Sequence, residues 1–379
     1  MLDDLALTLS QKAQSLGAML HPITCQEIAN LLTYTNTYYS NLIEGHNTKL
    51  LDIERAMHED FSQDSAKRAL QLEAKAHVEV AQEIDALLSG TPDLNIFSED
   101  FITQIHRAFY QRLPVDFYTI LHPRTQEQII IEPGMLRARD VQVGGHIAPS
   151  YKALPSFLEY FQQRYHFKQL HGIQKIMAIA ASHHRLAWIH PFLDGNGRVM
   201  RLLTVAMFKQ LKLDAHGLWS MSRGLARNRD AYYAALAMAD LPRQGDLDVR
   251  GNLSEKGLEF FCEFFLRTAI DQLDFMQELL NLESLSARMM YYIELRQRGG
   301  IPNVKPIRLE AQYLLRDVLL RGEVPRFDVS RITGLKERTA RALVSELLKE
   351  NLLQSASSRA GLRIKIPVAV GEYYFPKLY

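Results

Sequence analysis

One stretch constrains this chain more than any other: His190 to Arg201, His-Pro-Phe-Leu-Asp-Gly-Asn-Gly-Arg-Val-Met-Arg. It joins two segments with helical apolar spacing, Gly172 to Trp188 and Arg198 to Leu211, so the chain leaves one helix, turns within a few residues and enters another. Gly195, Asn196 and Gly197 let the backbone bend closely around an anion, with N–H groups exposed at the positive end of the second helix. Arg198 and Arg201 lie three positions apart, on one helix face, placed to clamp successive phosphates. Asp194 adds a carboxylate that would repel a phosphate chain unless a hard cation intervened, which suits Mg²⁺ held mainly by phosphates and water. His190, with an ordinary pKa near ~6.5, suits a general base. Phe192 reads as an inward anchor for the loop. Each feature alone is commonplace; their compression into one loop and one helical turn points to a magnesium–nucleotide site.

The surroundings are helical. Thr24 to Ile43, Lys49 to Glu59 and Ser65 to Leu88 carry helical patterning, and Ser98 opens another helix that ends before Pro114. Between Gly134 and Tyr151, Val141 and Val143 alternate with polar neighbours before Gly144-Gly145, which predicts a short hairpin. Pro155 to Tyr165, Ala226 to Met238 and Ser254 to Leu280 read as further helices, the last long enough for a spine. From about Ser284 a smaller module begins. Helices at Arg308 to Leu319, Val329 to Thr333 and Lys336 to Lys349, with strands and a wing within Leu353 to Phe375, predict a winged helix-turn-helix. The expected domains are 1–95, a helical region; 96–283, the core with its spine helix; and 284–379, the winged module.

With 379 residues, 47% hydrophobic and 23% charged, the chain is expected to fold as more than one domain, and its formal charge of +1 gives no global pull toward nucleic acid or membrane. Cys25 and Cys262 form neither a disulfide framework nor a metal knuckle, the first residues lack a signal-peptide pattern, and no long apolar run is present. A cytoplasmic protein without a membrane span is therefore expected. His183 and His184 lack a third ligand for zinc and read as packing residues.

Every fixed position of His190 to Arg201 resembles the signature of Fic proteins, His-x-Phe-x-(Asp/Glu)-Gly-Asn-Gly-Arg-x-x-Arg. The resemblance implies a mainly α Fic-type helical bundle with a β-hairpin flap, and transfer of AMP from ATP to a Ser, Thr or Tyr hydroxyl of a protein with release of pyrophosphate. His190 is then the base, Asp194 the Mg²⁺ ligand, Gly195-Asn196-Gly197 the anion hole, Arg198 the β-phosphate contact and Arg201 the γ-phosphate contact. Within Arg139 to Ala148, Val141, Gln142, Val143, Gly144, Gly145 and His146 resemble the target-binding flap. Arg229, Tyr232 and Tyr233 resemble a pattern that borders the base pocket or stabilises the core. Ser40 to Gly45, Ser-Asn-Leu-Ile-Glu-Gly, resembles the inhibitory motif, in which Ser40, Glu44 and Gly45 hold Glu44 against Arg201. Removal of AMP, transfer of another phosphate-containing group, and a nucleotide-sensing DNA-binding regulator stay open beside AMP transfer. The target protein is unnamed by the sequence; autoAMPylation and a homodimer fit the resemblance. Nucleic acid contact would run through Arg321, Arg326, Arg331, Lys336, Arg338, Arg341 and Lys349.

Overall fold

Helices dominate the computed structural model, which describes residues 1–121, 126–248 and 250–379. Two compact units divide the chain: Met1–Lys12, Asn36–Asp214 and Ser220–Gln272 form one, and Ala13–Thr35, Ala215–Trp219 and Leu273–Tyr379 the other.

The first unit holds the end of α2 (Pro22–Ile43), α3 (Leu50–Met57), α4 (Ser65–Gly90), α5 (Glu99–Tyr110), α6 (Leu154–Tyr165), α7 (Gln174–Ile189), α8 (Asn196–Gln210), α9 (Met221–Arg227), α10 (Arg229–Asp240) and most of α11 (Glu255–Leu279). Ser98 opens α5 as the sequence predicts, its Oγ accepting from the Phe101 N–H at 3.2 Å, and Asp64 caps α4, its Oδ1 accepting from the Lys67 N–H at 2.8 Å. Helix α7 is buried over most of its surface, through the polar Ser182, His183 and His184 as well as through Ile176, Ile179, Leu186 and Ile189, and it packs against α6, α8 and α10. Each such apolar side chain stabilises the bundle by about 1.5–3 kcal/mol. Helix α8 packs on α4, α5 and α7, so the loop before it is held from three sides.

Two hairpins interrupt the helices. Strands β1 (Thr119–Leu121) and β2 (Gln128–Ile130) pair antiparallel, as do β3 (Gln142–Val143) and β4 (His146–Ile147), with Gln142 opposite Ile147. The second is the hairpin expected within 134–151, and Gly144 at φ 58° provides its tight turn. The first had no sequence expectation.

The second unit carries α12 (Leu282–Gln297), α13 (Ala311–Arg321), α14 (Val329–Thr333) and α15 (Glu337–Lys349). Its antiparallel sheet has the order β5-β7-β6, from Glu323–Val324, Leu362–Ile364 and Leu353–Gln354. Gly334, at φ 70°, turns α14 into α15, and Leu314, Leu315, Val318, Leu343, Leu347, Leu353 and Leu362 fill the core of this winged-helix-like region.

Two expectations need correction. The strands expected up to Phe375 stop at Ile364, and Val368–Tyr374 is helix α16. Its valines and tyrosines favour strand by propensity, but tertiary packing overrides this: Tyr374 is fully buried with its ring 5.5 Å from that of Tyr292 on α12. Ala226 to Met238 is broken at Asn228, whose side-chain amide donates to the Gly224 carbonyl at 3.0 Å and ends α9. Within the helical region expected over 1–95, the first residues form α1 (Leu2–Gly17), with Ala6, Leu9, Ala13 and Leu16 buried along one stripe. Among the described residues no helix is long and apolar enough to cross a membrane.

Candidate active site

Helix α7 ends at His190, which adopts a left-handed conformation at φ 50°. For a residue with a Cβ this costs about 1–3 kcal/mol, so the surroundings must hold it. Arg137 does so. Its side chain has no solvent exposure, and its Nε donates to the His190 carbonyl at 2.8 Å while Nη1 donates to that of Arg139 at 2.8 Å. A third bond runs from Nη2 to the Pro149 carbonyl. One guanidinium thus ties the end of α7 to both ends of the flap segment. Burial is the main force pushing the His190 imidazole down, to about 4, so the ring is a neutral base at ordinary pH.

The following loop is closed from inside. The Phe192 N–H donates to Asn196 Oδ1 at 2.9 Å, and Asn196 Nδ2 donates back to the Phe192 carbonyl at 2.8 Å. The Asn196 side chain is therefore a staple for the loop, and only backbone groups are left to meet an anion. Phe192 is fully buried, stacked on His106 at 4.0 Å. Gly134 N–H donates to His106 Nδ1 at 2.9 Å, which leaves Nε2 to donate to the Asp194 carbonyl at 3.3 Å. Burial keeps this histidine neutral, with a pKa near 4. Gly195 sits at φ 77°, and a Cβ there would come within 3.0 Å of the Tyr110 ring, so conformation and space both require glycine. Asp194 is exposed, and Tyr110 OH donates to its Oδ2 at 2.6 Å. That bond orients the carboxylate and leaves Oδ1 for an ion. Among the described residues no group of three or more His, Cys, Asp or Glu could hold a metal, so an ion at Asp194 would draw its other ligands from phosphate and water, as magnesium does.

Both arginines of α8 are buried, and each meets a carboxylate from another helix. Arg201 Nε donates to Ser40 Oγ at 2.8 Å and Nη2 to Glu44 Oε1 at 2.5 Å. Glu44 caps the end of α2 in a Schellman turn: Gly45, at φ 88°, donates to the Leu42 carbonyl at 3.0 Å, and His46 N–H to that of Asn41 at 2.9 Å. Burial pushes the Glu44 carboxyl up, but Arg201, with Arg198 and His46 behind it, outweighs this and holds it below its ordinary value. Arg198 Nη2 donates to Glu73 Oε2 at 2.9 Å, and its guanidinium lies over the Phe109 ring at 5.1 Å. His46 Nδ1 lies 2.6 Å from the same Glu73 oxygen, which raises the His46 pKa.

The remaining expected residues divide between core and rim. Tyr232 is buried, its OH 2.8 Å from His183 Nε2, and His183 Nδ1 meets Thr204 Oγ1 at 2.7 Å. His184 Nε2 meets Asp240 at 2.8 Å. These are packing roles. Tyr233 OH donates to the Ile43 carbonyl at 3.3 Å, beside Glu44, with Arg229 over its ring at 5.6 Å. In the hairpin, Val143 and Ile147 are exposed, whereas His146 Nε2 anchors to the Trp188 carbonyl at 2.8 Å, two residues before His190. Arg137, Glu73, His106 and Tyr110 had no sequence signal: each is an ordinary residue type on a remote element.

A helical bundle that presents a stapled glycine loop at a helix N-terminus, between a neutral histidine and two buried arginines, defines a site shaped for an anionic substrate. Residues 96–208 match the Fic/DOC family model, and the chain contains a Fic/DOC family domain. Among its relatives, the protein adenylyltransferase Fic of Nematostella vectensis is 32% identical over 178 residues, 46% of this chain and 37% of that protein. That of Drosophila grimshawi is 34% identical over 102 residues, 26% of this chain and 21% of that protein. The chain thus spans well under half the length of these relatives. The fold resembles a Fic family protein from Desulfovibrio desulfuricans G20, with a TM-score of 0.54, 15% identity and 96% of each chain covered. It also resembles Fic-1 from C. elegans, with a TM-score of 0.52, 15% identity, and 73% of this chain and 72% of that one covered.

Proposed function

We propose that this protein transfers AMP from magnesium-bound ATP to a Ser, Thr or Tyr hydroxyl of a protein. The observation that carries this reading is the placement of neutral His190 immediately before the loop and helix start that bear Asp194, Arg198 and Arg201. In this reading His190 takes the proton of the target hydroxyl. Its oxygen bonds to the α-phosphorus, and the bond from that phosphorus to the bridging oxygen breaks, so pyrophosphate leaves with the electron pair. The backbone N–H groups of Gly195 to Gly197 face the phosphate chain, Arg198 and Arg201 receive the charge that develops on the leaving group, and Asp194 would hold the magnesium that neutralises it. The hairpin, anchored through His146, aligns a target segment by backbone pairing at its exposed edge.

Glu44 is the brake in this reading. While it holds Arg201 that guanidinium is unavailable to a γ-phosphate, so the isolated protein is expected to be a weak transferase. Glu44 also reaches the loop at Gly197, which favours a second use of the same carboxylate, orienting water for removal of AMP. Incubation with α-labelled and, separately, γ-labelled ATP tests the reaction: α-label on protein is expected, and label from the γ position alone rejects AMP transfer. His190→Ala is expected to lower α-label transfer by about 10²–10⁴-fold; an unchanged rate removes His190 as the base.

A further inference from the structure

A cavity of about 630 Å³ lies between α6, α7 and the start of α11, apart from the loop at His190. Arg164, Arg185 and Arg250 line it, and among the described residues Glu255 is the one carboxylate on its wall. Among the described residues none of the three arginines forms an ion pair: Arg164 lies over the Tyr165 ring at 5.9 Å and Arg185 over the Trp188 ring at 4.8 Å. That is an unfavourable arrangement for an empty cleft, because like charges repel and the partly buried Arg185 and Arg250 lose hydration. Arg250 shows the cost: burial, and then the charge of Arg185, push its pKa down. Its Nη2 is fixed by donating to the Ala239 carbonyl at 3.2 Å, while Nη1 is buried without a partner. Buried polar atoms are nearly always hydrogen-bonded in folded proteins, so the orphaned Nη1 of Arg250 leaves a donor on this wall without its acceptor.

We propose that this cavity is a second anion site, taking a phosphate-bearing ligand of nucleotide size. Its volume lies in the range of small-molecule sites. Three arginines offer forked donors to phosphate oxygens from three chain segments, and the buried Tyr165 supplies an apolar wall. His184 Nε2 shares Asp240 with the hairpin residue His146, at 2.8 and 3.4 Å respectively, so the cavity wall and the hairpin rest on one carboxylate.

The site is independent of whether the chain transfers AMP, and its test avoids the first site. Calorimetric titration with pyrophosphate, and separately with AMP, is run without magnesium on the full chain carrying Arg198→Ala and Arg201→Ala. One-to-one binding of at least one anion is expected, weakened at least ~10-fold when Arg185→Gln and Arg250→Gln are added, the loss of one or more charge-assisted hydrogen bonds. Binding of pyrophosphate alone assigns the site to a free phosphate chain, and of AMP to a nucleotide. If the added pair lowers the melting temperature enough to unfold the chain, Arg164→Glu at an exposed position replaces it, with the same expected loss. No saturable binding of either anion, or an affinity unchanged by these substitutions, overturns the proposal.

Discussion

The two arginines of α8 stand one helical turn apart, are both buried, and both touch a carboxylate, yet the two carboxylates sit in different kinds of structure. Glu73 lies in the interior of α4, locked by a continuous helix and shared with His46. Glu44 is the C-cap residue of a Schellman turn, with the left-handed Gly45 after it and a third of its side chain exposed. A carboxylate at a helix end can swing aside when the turn gives way, whereas one in mid-helix moves only with the helix. The comparison teaches that Arg198 has a permanent partner that positions it and Arg201 a displaceable one that withholds it.

The strongest way to break this contrast is to remove each carboxylate in turn. Glu44→Gly is expected to raise α-label transfer by about 10–100-fold, the equivalent of regaining one charged hydrogen bond to phosphate. Equal or lower labelling than in the unsubstituted protein sinks the brake. Glu73→Gln is expected to do the reverse, lowering transfer in the Glu44→Gly background by roughly 10-fold because the buried Arg198 loses its orienting charge. A rise there means that Glu73 is a brake as well. Acidity sharpens the distinction further. Glu44, held below its ordinary carboxylate value, keeps its charge in mild acid, and His190 gains its proton near 4. Acid is therefore expected to give no window of activation: transfer by Glu44→Gly should be flat between about pH 6 and 8 and fall toward pH 4, and the unsubstituted protein should stay low throughout. A rate maximum for the unsubstituted protein near pH 5 contradicts this. The smallest effect is expected from Tyr233→Phe, which deletes the hydrogen bond to the Ile43 carbonyl and loosens the turn that carries Glu44. A rise in basal transfer of about 2-fold is expected, and a fall means that the tyrosine acts elsewhere.

What could be read from the sequence follows from how locally each feature is encoded. The loop from His190 to Arg201 was legible because its glycines, charges and helix start are contiguous, and α4, α5, α7 and α8 because one apolar stripe repeats along each. The chemistry that holds the loop is not contiguous. Tyr110, His106, Arg137 and Glu73 are remote in sequence, and nothing in a lone tyrosine or glutamate says which loop it will face. Helix α16 misled for a related reason, since its local propensity points to strand and only the buried Tyr374 reverses it. The basic module predicted for the C-terminal region is likewise less free than its composition suggests: Arg321, Arg331 and Arg341 each pair with a nearby carboxylate. This reduces the charge they offer a phosphate backbone.

Gly197 gives the brake a constraint of its own. A Cβ at this position would collide with Glu44 Oε1 and come within 3.0 Å of Arg201 Nη1, so the carboxylate occupies a notch the width of one methyl group. The same notch opens onto the backbone proposed to face phosphate. A methyl added there would evict the inhibitor and narrow the substrate's own seat in one stroke, so activation by mutation has no clean route through the loop. Freedom to tune this protein lies on the far side of the contact, in Glu44 and the turn that presents it.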